Sequence, residues 1–108
     1  MRLEETTAVE LKERMDLGRD VQIIDVREPS EFAIAHLPGA VLIPLGQIIA
    51  RASEIDPSRE TIVYCKVGIR SAAAIHGLRQ VGFAGRLVNL RGGILAWSRD
   101  VDPTRPRS

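Results

Sequence analysis

Apolar positions along the chain follow two alternating periods. Four short runs, Val21–Val26, Ala40–Ile43, Thr61–Tyr64 and Leu87–Leu90, are rich in β-branched residues and mostly apolar on both faces. That is the pattern of strands buried in a parallel sheet. The stretches between them follow helical spacing. Thr7-Ala8-Val9-Glu10 has the spacing of a capping box, with Ala8, Leu11 and Met15 on one face behind it and Gly18 as the stop. Leu45, Ile48, Ile49 and Ala52 fall at i, i+3, i+4 and i+7 behind Pro44 and predict a helix there. Ala74, Leu78 and Val81 predict another, opening at Ser71 and ending at Gly82. Ile94 and Trp97 predict a short last helix. Strand–helix alternation at a spacing of about 20 residues implies an α/β fold, a parallel sheet with helices on both faces. Ligands of such sheets bind beyond the carboxyl ends of the strands, so the loops after Val26, Ile43, Tyr64 and Leu90 are the ones to inspect.

Composition narrows the class. A chain of 108 residues fits one domain, and at this size folding removes about 65% of the chain's surface from water. Residues 1–101 read as that domain. Residues 102–108 hold two prolines and no core residue, and read as a tail. A net charge of +1 with scattered arginines gives no long-range attraction for nucleic acid or an anionic membrane. No apolar run approaches the roughly 18 residues of a membrane span. The N-terminus carries acids early and lacks the apolar segment of a secretory signal. A cytoplasmic protein without nucleic-acid or membrane partners is expected. The single cysteine excludes a disulfide framework and a cysteine-based zinc finger. The two histidines have no clustered cysteine, so neither a metal site nor a cofactor is expected.

The position of that cysteine changes the picture. Cys65 directly follows a strand, and Lys66-Val67-Gly68-Ile69-Arg70 leads into the helix expected from Ser71. Successive backbone N–H groups in such a strand-to-helix loop form an anion nest. A nest of this kind stabilises a thiolate and lowers the cysteine pKa. Gly68 permits the turn, and Arg70 adds a permanent cation with a fork of donors. The alternative for a lone cysteine is a small buried hydrophobe. Two reaction classes use this architecture. Cysteine phosphatases space their cysteine and arginine as C-x5-R around a phosphate dianion. Here the spacing is C-x4-R, a phosphatase arginine would fall at Ser71, and no aspartate stands beside the loop as general acid. A loop one residue shorter matches one extra sulfur atom better than a phosphoryl group.

Four segments together resemble the rhodanese-like (sulfurtransferase) domains: Ile24-Asp25-Val26-Arg27-Glu28-Pro29-Ser30-Glu31-Phe32, His36-Leu37-Pro38-Gly39-Ala40, Tyr64 through Ala72, and Gly92-Gly93-Ile94-Leu95-Ala96-Trp97. The resemblance covers residues 6–101. Its C-K-x-G-x-R-S loop and its ending are similar to the rhodanese domain fused behind E1-like adenylyltransferases of thiamine and molybdopterin synthesis. It implies a five-stranded, mostly parallel sheet whose first strand lies near Arg2–Glu5. It also implies that Cys65 takes a sulfane sulfur as a persulfide, from a small donor such as thiosulfate or from another persulfide. The sulfur then passes to cyanide, a thiol or a ubiquitin-like sulfur-carrier protein. With no second cysteine, the acceptor is a second molecule.

Cys65 and Arg70 are the expected catalytic residues, with Lys66, Val67, Gly68, Ile69 and Ser71 as the substrate-binding loop. Lys66 reads equally as an attractor of anionic donors and as a solvated surface lysine. Asp25 and Arg27 border the site; they either orient the active loop or form an ion pair that fixes the chain turn. Glu28 and Glu31 read as caps at a helix start, His36 as a loop hydrogen bond, His76 as structural and Trp97 as core. Gly92-Gly93 reads as a close passage of backbone past the sheet end. A non-catalytic docking or redox-sensing module and a small cysteine phosphatase or arsenate reductase are the competing readings.

Overall fold

The computed structural model describes residues 2–103. Its elements run β1 (Glu5–Thr6), α1 (Ala8–Asp16), β2 (Val21–Asp25), α2 (Pro29–Ile34), β3 (Val41–Leu42), β4 (Glu60–Tyr64), α3 (Ile69–Gln80), β5 (Leu87–Leu90) and α4 (Gly93–Asp100). The strands form one sheet in the order β1-β5-β4-β2-β3, and every pairing is parallel.

The period of two along each strand divides the core. Ile23, Ile62, Tyr64, Val88 and Leu90 face α1 and α4, where they meet Ala8, Leu11, Ile94 and Trp97. Ile24, Val63, Cys65 and Leu87 face α3, where they meet Ala74, Ile75 and Leu78. The helices therefore cover both faces, and Cys65 continues β4 on the α3 side.

Thr7 caps α1 as its spacing predicts: Glu10 N donates to Thr7 Oγ1 at 3.1 Å, and Thr7 N donates to Glu10 Oε1 at 2.8 Å. This cap moves the first strand later than expected. The strand spans Glu5–Thr6 rather than Arg2–Glu5, because its ladder to β5 closes at Arg91 N→Thr6 O, one residue before the cap. The other departure lies between β3 and β4. The apolar spacing from Leu45 to Ala52 predicts a helix, yet the chain forms 3₁₀ turns at Leu45–Gln47 and Ala52–Glu54. Its hydrogen bonds there are mostly i→i+3, as in Ile48 N→Leu45 O and Ala52 N→Ile49 O. Gly46 weakens an α-helix at this point, and the tighter winding leaves Ile48 and Ile55 buried while Ile49 faces solvent. Helix α3 also starts earlier than expected, at Ile69 rather than Ser71.

A buried ion pair closes the end of β2. Arg27 donates through Nη2 to Asp25 Oδ2 at 2.8 Å and to the Ala35 carbonyl at 2.6 Å, and its backbone N donates to Asp25 Oδ1 at 2.9 Å. Its guanidinium lies 5.7 Å from the centre of the Tyr64 ring, and both charged side chains are fully buried. The pair ties the turn after β2 to the end of α2. Removing one partner strands the other charge in the core, so Arg27→Met is expected to lower the unfolding free energy by about 3–5 kcal/mol. A urea titration with an unchanged midpoint would contradict that role.

Candidate active site

The carboxyl end of β4 lies between those of β2 and β5, and Cys65 is the first residue past it. The next residues turn sharply. Gly68 stands at the N-cap of α3 with φ +109°, a conformation that disfavours any residue with a Cβ. The turn points backbone donors at the sulfur. Gly68 N donates to Cys65 Sγ at 3.1 Å and Ser71 N at 3.4 Å, while Ser71 Oγ lies 3.4 Å from the same sulfur.

The loop is held from behind by α4. Ile94 N donates to the Cys65 carbonyl at 2.9 Å and Leu95 N to the Lys66 carbonyl at 3.2 Å. Gly93 makes this approach feasible: a Cβ there would sit 2.4 Å from both carbonyl oxygens. The sequence places Gly92-Gly93 at such a passage, and the geometry agrees. A trans peptide directs its C=O and N–H in opposite directions. With the Lys66 carbonyl turned to α4, the Val67 N–H of the same peptide unit is turned toward the sulfur.

These contacts set the electrostatics of Cys65, which is 1% exposed. Burial raises the proton affinity of the thiol. The Ser71 hydroxyl and the N–H groups of Ser71, Gly68 and Val67 outweigh it, so the thiol lies below its ordinary value. The expected anion nest is thus present in the geometry.

Arg70 is placed differently from the simplest expectation. It forms a bidentate pair with Glu31 of α2, Nη1–Oε1 at 2.7 Å and Nη2–Oε2 at 2.9 Å. It feels the charge of Cys65, but its donor fork is engaged by a carboxylate. The local positive surplus expected from Arg70 is therefore balanced by Glu31. Glu31 is a cap as its position predicts, since Glu28 N donates to its Oε1 at 3.0 Å. It also links α2 to the active loop, which its local sequence does not reveal.

Lys66, Val67 and Ile69 are exposed at the mouth of the loop, Ile69 by 75%. Asp25 and Arg27 lie beside the site as the buried pair described above. His36 makes a loop contact, Nδ1 to the Phe32 carbonyl at 3.0 Å, and stacks on the Phe32 ring. His76 is exposed on α3, and Trp97 is buried in the core. Asn89, which no sequence motif marks, is buried on β5 with Ser71 Oγ 2.5 Å from its Oδ1. Its one sequence signal is a polar residue inside an apolar strand. Among the described residues no group of three or more His, Cys, Asp or Glu is placed to hold a metal ion, and no helix is long and apolar enough to cross a membrane.

The Glu31–Arg70 pair has a pH signature. The guanidinium hydrogen bonds hold the Glu31 carboxyl at about 2, against an ordinary 4.5, with burial opposing them. A carboxyl whose pKa is lower in the folded state adds stability that is fully present above its unfolded value and lost as pH falls. The stability advantage of the native chain over Glu31→Gln is therefore expected to hold steady down to pH 4.5 and to shrink from there toward about 2. Denaturant titrations at several pH values read it, and an advantage that does not change across that window contradicts the pairing.

The chain is similar to known proteins over most of its length. The rhodanese-like domain family matches residues 7–100. A "Sulfurtransferase" of Allochromatium vinosum is 43% identical over 89 residues, covering 82% of each chain. The "Probable adenylyltransferase/sulfurtransferase MoeZ" of Mycobacterium tuberculosis is 39% identical over 99 residues. That match covers 90% of this chain but only 25% of MoeZ, so the chain spans about a quarter of that relative's length. Among solved structures, a rhodanese-like domain protein from Staphylococcus aureus superposes with a TM-score of 0.83 at 29% identity, covering 98% of this chain and 99% of that one. By sequence, by sheet order and by the loop that surrounds its one cysteine, the chain belongs to the rhodanese-like domain family.

Proposed function

We propose that the protein is a sulfurtransferase that carries sulfane sulfur as a persulfide on Cys65. The observation that carries this reading is the sulfur of Cys65 lying at the focus of the Gly68 and Ser71 N–H groups. Donors in this arrangement stabilise a thiolate in the resting state and, after transfer, a terminal sulfur with its negative charge. The sulfurtransferase names of relatives such as the A. vinosum protein support the same class.

With thiosulfate as donor, the Cys65 thiolate attacks the outer sulfur. The new S–S bond forms as the old one breaks, giving Cys65–S–S⁻ and sulfite. In the second half, a nucleophile attacks the terminal sulfur and Cys65 leaves as the thiolate; cyanide departs as thiocyanate. Lys66, Val67, Gly68, Ile69 and Ser71 line the loop that receives the outer sulfur. Arg70 reaches that charge when its pairing with Glu31 loosens, and the Asp25–Arg27 pair fixes the neighbouring turn.

A sulfur-carrier protein is the proposed macromolecular acceptor. The adenylyltransferase/sulfurtransferase name of the relative from M. tuberculosis supports it. So does the exposure of Val67 and Ile69 beside the sulfur, which offers apolar contact to an incoming peptide terminus.

Incubation with thiosulfate followed by intact-mass measurement is expected to show a gain of one sulfur, about 32 Da, absent in Cys65→Ser. Subsequent cyanide is expected to remove it with release of thiocyanate. A native chain that gains no sulfur from thiosulfate, a polysulfide or a small persulfide contradicts the reading.

A further inference from the structure

Ser71, the residue that follows the active-loop arginine, faces two partners with one hydroxyl proton. Its Oγ lies 3.4 Å from Cys65 Sγ and 2.5 Å from Asn89 Oδ1. All three residues are buried: Ser71 is fully inaccessible and Asn89 is 2% exposed.

The orientation of the Asn89 amide is fixed by its other end. Asn89 Nδ2 donates to Glu5 Oε2 at 3.0 Å and faces the Gly68 carbonyl at 3.5 Å. Both of those groups accept only, so the nitrogen belongs on that side and Oδ1 faces Ser71. A carbonyl oxygen cannot donate. The short Ser71–Asn89 bond is therefore made by the Ser71 hydroxyl proton, and Ser71 presents lone pairs to the sulfur.

In the thiol the chain has one polarity: Cys65 S–H to Ser71 Oγ, Ser71 O–H to Asn89 Oδ1, Asn89 N–H to Glu5. Loss of the sulfur's proton breaks that order. Ser71 then either turns its hydroxyl to the anion, leaving a buried carbonyl oxygen unsatisfied, or keeps its lone pairs toward a negative charge. Either course limits the help that the hydroxyl gives the anion.

We infer that Asn89 is a positioning residue, acting through the Ser71 hydroxyl to set how strongly Cys65 holds its proton. Resting on the sulfurtransferase reading, the hydroxyl alternates between two partners. It stays on Asn89 while the sulfur is a thiol or a persulfide. It turns to Cys65 Sγ when that atom leaves as a thiolate during sulfur delivery.

The loop amides oppose this restraint and remain the source of thiolate stabilisation. The charged groups around the relay are Glu5 on β1, Arg91 after β5, Lys66 and Arg70 in the loop, Glu31 on α2 and the Asp25–Arg27 pair at the end of β2. They are unchanged in Ser71→Ala, and all but Glu5, which loses a donor, keep their partners in Asn89→Ala.

The pH profile of Cys65 alkylation by iodoacetamide reads the proton directly and needs no sulfur transfer, so it stands apart from the test of the proposed activity. In Asn89→Ala the freed hydroxyl donates to the thiolate, and the midpoint is expected to fall by about 0.5–1 pH unit, the value of one hydrogen bond. In the Ser71→Ala background the same Asn89 change is expected to move nothing. Asn89→Leu, which likewise removes the carbonyl oxygen, is expected to lower the midpoint by a similar amount and keeps the test decisive should Asn89→Ala fail to fold. A midpoint that stays put in the folded Asn89 variant overturns the inference. So does one that falls equally without Ser71.

Discussion

The geometry at Cys65 depends on two backbone hydrogen bonds that do not touch the sulfur. The first amides of α4 take the carbonyls of Cys65 and Lys66. Once the Lys66 carbonyl is drawn to α4, planarity turns the Val67 N–H of the same peptide toward the sulfur. The close approach needs a residue without a Cβ at Gly93. The last helix therefore serves the site by orienting peptide planes, while its buried face with Ile94 and Trp97 anchors it to the sheet. The active loop is in this sense part of the core, which allows a short loop to hold several donors on one atom without flexible side chains.

Charge is arranged around that loop in balanced pairs. Asp25 and Arg27 neutralise one another in the interior, and Arg70 meets Glu31 at the mouth. What remains directed at the sulfur is a set of backbone dipoles, fixed by the fold and carrying no net charge. A nest of this kind lowers the affinity of the sulfur for a proton.

Strands β2 to β5, the cap at Thr7 and the loop from Cys65 are legible in the sequence, because each follows a local pattern, and Gly92-Gly93 is legible from its residue type although its close contacts lie on the distant Cys65 and Lys66. What the sequence hid depends on contacts between distant segments. Glu31 reads locally as a cap and meets Arg70 only when α2 packs beside α3. Asn89 looks like an interruption of an apolar strand. Its partners lie on β1 and α3, and the parallel register of β5 brings them together. The segment from Leu45 misled for a different reason. Its apolar spacing suits a 3₁₀ path nearly as well as an α-helix over so few residues, and Gly46 removes the local preference that would decide.

The central claim is that the hydrogen bonds converging on Cys65 lower the affinity of its sulfur for a proton. Because this is the only cysteine in the chain, the ultraviolet absorbance of the thiolate reports on it alone once Cys65→Ser is subtracted. Burial pushes the single tyrosine, Tyr64, far upward, out of the same range. A titration of that absorbance is predicted to give a midpoint below the ordinary thiol value of about 8.5. A midpoint at or above it would contradict the account.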